Sequence, residues 1–79
     1  DEVTIEIKLT KDSELQVEVL NQLGQRVKCL QTGKLLNSGI HRLMWDGKNA
    51  ESQQISNGIY HLKVKMKELT VFRKIVYSK

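Results

Sequence analysis

Residues 3–9 read Val-Thr-Ile-Glu-Ile-Lys-Leu, and residues 15–19 read Leu-Gln-Val-Glu-Val. In both stretches apolar and polar side chains alternate, which is the pattern of a β-strand with one buried and one solvated face. The segment between them, Lys11-Asp12-Ser13, supplies turn residues. The start of the chain therefore predicts two consecutive strands.

The rest of the chain predicts four more strands, over residues 26–30, 40–45, 58–66 and 69–77. Gly24 offers the positive φ that the hairpin after the second strand needs. Residues 31–39 are expected to form a loop, and the dipeptide Asp46-Gly47 ends the fourth strand. In the polar stretch 48–57, Ile55 would anchor at most a very short seventh strand.

Short strands at regular spacing favour an immunoglobulin-like antiparallel β-sandwich of six to seven strands with Greek-key connections. Residues 1–79 are expected to form one such domain. A chain of this size buries only about 60% of its unfolded surface, so the core should be thin, with Trp45 and Tyr60 at its centre. Three lysines, Lys63, Lys65 and Lys67, are expected to line an outer face and protect the sheet edges.

Residue types that carry catalysis or bind metals are few and scattered. Cys29, the single cysteine, is expected to share the inward face of its strand with Val27. The two histidines, His41 and His61, show no metal-ligand spacing. Asp46 is better explained as a turn residue than as a calcium ligand, because Lys48 intrudes into the same loop. The sequence therefore predicts no catalytic residue, no cofactor and no metal.

The formal net charge of +4 has two explanations. It favours anionic partners, or it merely keeps the surface soluble. Phe72 and Tyr77 flank Arg73 and Lys74, which would make a minor nucleic-acid patch. With four aromatic residues in all, a nucleic-acid partner is not expected.

Several short segments follow one another in an order that carries a family resemblance. They are residues 17–27 (Val-Glu-Val-Leu-Asn-Gln-Leu-Gly-Gln-Arg-Val), Ser38-Gly39-Ile40-His41, Trp45-Asp46-Gly47, Asn57-Gly58-Ile59-Tyr60 and residues 73–79 (Arg-Lys-Ile-Val-Tyr-Ser-Lys). With this set the chain resembles, from about Val3 to Lys79, the C-terminal sorting domain of proteins exported by the bacterial type IX secretion system. It is also similar to the related immunoglobulin-like domain of flagellar hook-capping proteins. Many sorting domains carry a Pro-Asn-Pro segment before the first strand, and its absence here leaves the second branch open.

The resemblance implies that the chain is the C-terminal domain of a larger secreted protein. It also implies a non-catalytic secretion and sorting signal that an outer-membrane translocon recognises. A sortase-like peptidase would then remove the domain from the upstream cargo domain of the same chain, with anionic lipopolysaccharide as a possible anchor. The protein would be secreted or displayed at the cell surface through the periplasm of a Gram-negative bacterium. The residues implied in recognition are Gly58, Tyr60, Arg73, Lys74, Ile75, Val76 and Lys79, although Gly58 and Tyr60 could equally serve only the fold. Gly24, Trp45, Asp46 and Gly47 are expected to be structural.

Two other functions stay open at this stage. The chain could be a structural accessory or interaction module of a multidomain extracellular or flagellar protein, with self-association through an edge strand. It could also bind glycans or anionic polymers, for which exposed aromatic residues would be expected.

Overall fold

The computed structural model describes residues 2–78, and these form six β-strands and no helix. The strands are β1 (Val3–Leu9), β2 (Ser13–Leu20), β3 (Arg26–Leu36), β4 (Gly39–Trp45), β5 (Gly58–Lys65) and β6 (Thr70–Tyr77). No helix among the described residues could span a membrane.

The strands build two antiparallel sheets that pack face to face. One sheet has the order β1-β4, and the other has the order β3-β2-β5-β6. β1 and β4 form the smaller sheet and the other four strands form the larger one. The chain therefore crosses between the sheets three times, after β1, after β3 and after β4. This arrangement confirms the predicted all-β, immunoglobulin-like sandwich.

The core lies between the sheets and consists of the side chains that the alternation placed inward. Its buried members are Ile5, Ile7, Leu9, Leu15, Val17, Val19, Trp45, Leu62, Val64 and Tyr77. β2 contributes the most deeply buried aliphatic side chains, because it is a central strand covered by the smaller sheet. Ile55 packs on this core from the long loop as predicted, but the loop holds an isolated Lys48–Gln54 bridge rather than a seventh strand.

Three details of the sequence prediction are wrong. β3 continues through residues 31–36, which were expected to be a loop. Its pairing with β2 shifts register at three places, so that Leu30 joins Val27 against the core while half-buried Cys29 pairs with Glu18. β5 is a central strand, so Lys63 and Lys65 do not protect an edge.

Two loops next to each other share one pattern of hydrogen bonds. In residues 21–25, the side-chain oxygen of Asn21 accepts from the N–H groups of Leu23 and Gln25, each at 2.9 Å. In residues 49–53, the oxygen of Asn49 accepts from the second and fourth following N–H groups in the same way, each at 2.9 Å. The fourth residue of each loop has a positive φ, 83° at Gly24 and 63° at Ser52. Each loop thus begins with an asparagine that satisfies its backbone donors.

Candidate recognition surface on the last strand

The residue types that could support catalysis do not converge in the part of the chain that the structure describes. His41 lies on β4 with its Nε2 2.7 Å from the carbonyl oxygen of Asn37, whereas His61 lies on β5 in the other sheet. The Cys29 thiol lies 3.6 Å from the carbonyl oxygen of Gln31. No group of three histidine, cysteine or acidic residues among residues 2–78 could hold a metal ion.

Asp46 behaves as the turn residue that the sequence predicts. Its carboxylate accepts a hydrogen bond from the N–H of Lys48 at 3.0 Å. The carbonyl of Lys48 in turn accepts from the indole nitrogen of Trp45, also at 3.0 Å. The Trp45-Asp46-Gly47 segment therefore fastens a core aromatic residue to the loop that follows it.

Trp45 and Tyr77 are buried in the core, and half-buried Tyr60 packs against Trp45 from its margin, whereas the sequence predicts Trp45 and Tyr60 at the centre. Trp45, 1% exposed, packs edge-on against Tyr60 at 5.9 Å between ring centroids and against Tyr77 at 5.6 Å. Tyr77 is 2% exposed, and Gln54 donates a hydrogen bond to its hydroxyl at 2.6 Å. In the sequence, the burial of Tyr77 is indicated by the alternation that puts Val71, Ile75 and Tyr77 on one face of the last strand. Burial of Tyr77 also removes one of the two aromatic residues of the suggested nucleic-acid patch.

Of the seven residues implied in recognition, three make contacts within the fold, three are exposed on β6, and one lies outside the described residues. Gly58 begins β5 opposite Tyr77, the hydroxyl of Tyr60 donates to Ser56 at 2.8 Å, and Ile75 packs on the core. These three residues make contacts within the fold. Lys79 lies outside the described residues.

The other three residues, Arg73, Lys74 and Val76, are exposed on β6. Val76 is 66% exposed, and Phe72, which the resemblance did not single out, is 55% exposed beside Lys74. Arg73 pairs with buried Leu62 on the inner side of the larger sheet. Its side chain nevertheless reaches solvent, because the two-stranded sheet covers the four-stranded sheet only in part. Neither Arg73 nor Lys74 has an ion-pair partner among the described residues. We call Phe72, Arg73, Lys74 and Val76 the β6 surface.

A further lysine lies on the neighbouring outer face of the larger sheet. Lys63 pairs with Phe72 in the register of β5 and β6, and His61 pairs with Lys74. The carboxylate of Glu18 on β2 is engaged by Arg26 at 3.0 Å. The exposed side of β6 thus combines apolar side chains with positive charge that has no ion-pair partner among residues 2–78.

The comparison with protein families matches residues 1–69 to the FlgD Ig-like domain. No curated protein matches the chain. Among solved structures, the crystal structure of FlgD from P. aeruginosa is similar with a TM-score of 0.68 and 20% sequence identity. That match covers 96% of this chain and 60% of the other, so this chain spans about 60% of that length. At this identity the likeness shows the fold alone, and the family match ends one residue before β6 begins.

Proposed function

This chain belongs to the FlgD Ig-like domain family, a non-catalytic family, and on that premise we propose that it is a sorting and anchoring domain read through its last strand. The outer-membrane translocon of the type IX secretion system recognises the domain. A sortase-like peptidase then separates the domain from its upstream cargo domain. The cargo is delivered through the periplasm of a Gram-negative bacterium to the outside or the surface, where anionic lipopolysaccharide is the candidate anchor.

The β6 surface is the observation that carries this proposal. β6 lies beyond the residues that the family match covers, and the side chains of the β6 surface are not part of the core. It places two unpaired cations and two exposed apolar side chains on eight consecutive strand residues. Exposed apolar and charged groups that pack against nothing within a domain are candidates for contacts with a partner.

The test must use a substitution that leaves the domain folded, because Tyr77 of β6 is part of the core. Deleting residues 73–79 would remove that ring and unfold the domain, so a loss of export would be ambiguous. A reporter protein fused in front of residues 1–79 should instead carry Lys74→Glu, with Lys34→Glu as the matched control. Both lysines are exposed, and they lie on opposite edges of the same sheet.

We expect Lys74→Glu to lower the amount of reporter at the cell surface about tenfold, since one charge-assisted contact is worth about 1.4 kcal/mol or more. Lys34→Glu should leave export unchanged. Equal export of the two variants, with both folded by circular dichroism, would overturn recognition through β6.

A second candidate function is a structural accessory module of a longer protein. It is favoured by the solved relative, in which the same fold occupies only part of a longer chain. In that case the reporter would reach the same location when the whole domain is removed, whereas the sorting proposal requires it to be retained inside the cell.

A further inference from the structure

The outer edge of β6 is open along its whole length. β6 pairs with β5 in an unbroken register from Thr70 to Tyr77, and no described strand pairs with its other side. The Arg73 guanidinium donates to the carbonyl oxygen of Phe72 at 3.0 Å, which places that carbonyl at the open edge. Because backbone groups alternate along a strand, the N–H and C=O groups of Phe72, Lys74 and Val76 all point outward.

The opposite edge of the same sheet is unsuited to pairing. β3 shifts register against β2 at three places and contains Gly33. Such bulges twist a strand and interrupt the regular row of backbone groups that another strand would need. β6 has no proline, no glycine and no register shift, so it lacks these protections.

Charge also distinguishes β6 from the edges of the smaller sheet. On β1 and β4 the side chains of Glu6 and Arg42 form an ion pair at 3.2 Å, which leaves exposed Lys8 as a single unpaired cation on this face among the described residues. On β6, Arg73 and Lys74 stand together without a carboxylate. An added strand would therefore meet two adjacent positive charges, one on each face of the sheet.

These charges disfavour a second copy of β6 as the added strand. In a continuous sheet, residues that face each other point to the same side. The two antiparallel registers that keep most of β6 paired with itself place Arg73 opposite Arg73 or Lys74 opposite Lys74. Like charges in directly opposed positions are destabilising.

We propose that β6 accepts an added antiparallel strand from a partner segment that carries two adjacent carboxylates flanked by apolar residues. The carboxylates meet Arg73 and Lys74, and the apolar side chains lie beside Phe72 and Val76. The backbone groups of the open edge supply affinity, and the alternate side chains supply specificity. The inference rests on the proposed role of β6 as the recognised element and names the chemistry of its partner.

The direct test uses a capped soluble peptide with the central sequence Val-Val-Glu-Glu-Val and a matched peptide with lysines in place of the glutamates. Each is titrated into the purified 79-residue chain while backbone amides are followed by NMR and hydrogen exchange. We expect the glutamate peptide to bind and to protect the amides of Phe72, Lys74 and Val76 at least about tenfold, because these amides point to the added strand. The lysine peptide should not bind.

Two variants make the assignment specific. The double substitution Arg73→Glu plus Lys74→Glu should abolish binding of the glutamate peptide and create binding of the lysine peptide, a reversal that simple unfolding cannot produce. Lys74→Pro removes one outward N–H, which an edge strand tolerates, together with the Lys74 charge, and should weaken binding of the glutamate peptide at least about tenfold.

Three results would overturn the inference. They are equal binding of both peptides, protection of β1 or β4 amides instead, and dimerisation of the free chain through β6. Since peptide binding is measured on the purified chain, its failure would leave the export result standing. A normal export of Lys74→Glu with intact peptide binding would instead remove only the sorting proposal.

Discussion

Gly47 is the residue on which the aromatic core depends most closely. Its φ is 75°, and a Cβ placed on it would lie 2.6 Å from Cζ of the Tyr77 ring. The carbonyl of Gly47 also accepts from Gln54 at 2.9 Å. The turn dipeptide therefore does more than reverse the chain, because it leaves space for a ring contributed by the last strand.

Gly47→Ala should destabilise the domain by about 3 kcal/mol, the sum of a left-handed backbone penalty and an overpacked core. Urea unfolding followed by Trp45 emission gives the free energy of unfolding. The matched control is Gly33→Ala, where the added Cβ would meet only a Glu14 carboxylate oxygen at 3.7 Å. A loss as small as that of the control would show that the Tyr77 ring moves aside freely.

The two aromatic residues of β6, Phe72 and Tyr77, lie five positions apart and therefore on opposite faces of the strand, so that one is exposed and the other is buried. Tyr77→Ala removes a ring that is 2% exposed and should cost about 3–5 kcal/mol. Phe72→Ala removes a ring that is 55% exposed and should cost about 1 kcal/mol or less. Similar losses of unfolding free energy for the two variants would contradict the assignment of Phe72 to the β6 surface.

At the scale of elements, the paired asparagine loops show how two unrelated sequences reach one geometry. Asn-Gln-Leu-Gly-Gln and Asn-Ala-Glu-Ser-Gln share only the first and last residues. These two asparagines and glutamines also bond side chain to side chain, at 2.9 Å and 3.1 Å. The second loop is held to β3 by the N–H of Ala50, which donates to Val27 at 3.0 Å.

Ser52→Gly should stabilise the domain by about 0.5–1 kcal/mol, because glycine adopts the 63° φ at this position without a side-chain penalty. Gly24→Ser at the equivalent position of the first loop should cost a similar amount. The check is a pair of thermal and urea unfolding curves for the two variants. Changes of the same sign at both positions would show that the loops are not energetically equivalent.

At the scale of the whole molecule, the sandwich is held by pairings between distant parts of the chain. β1 pairs with β4 and β2 pairs with β5, and β6 closes the core with Tyr77. Neither sheet is complete without strands from both halves of the sequence. Stability is therefore expected to be cooperative, with no half of the sandwich folded alone.

A chain that ends at residue 69, where the family match ends, should consequently fail to fold. Without β6, Leu62 and Val64 lose a neighbouring strand and Trp45 loses a ring contact. We expect red-shifted Trp45 emission and no cooperative unfolding transition for this truncated chain. A cooperative transition with blue-shifted emission would show that β6 is an addition to a domain that is already stable.

By itself, the sequence determined the fold class, the number of strands and most of the inward faces, because alternation and turn residues are local signals. It also determined that Asp46-Gly47 and Gly24 lie at turns, whereas the space that Gly47 leaves for the Tyr77 ring depends on the tertiary structure. Tertiary structure alone decided that β5 is central and β6 an open edge, since sheet order depends on pairing between distant strands. It likewise decided that Leu30 rather than Cys29 packs inward, because a bulge shifts the alternation. The resemblance implied seven residues, at the start of β5 and along the end of the chain. Only the tertiary structure distinguished those that pack on the core from Arg73, Lys74 and Val76, which are exposed.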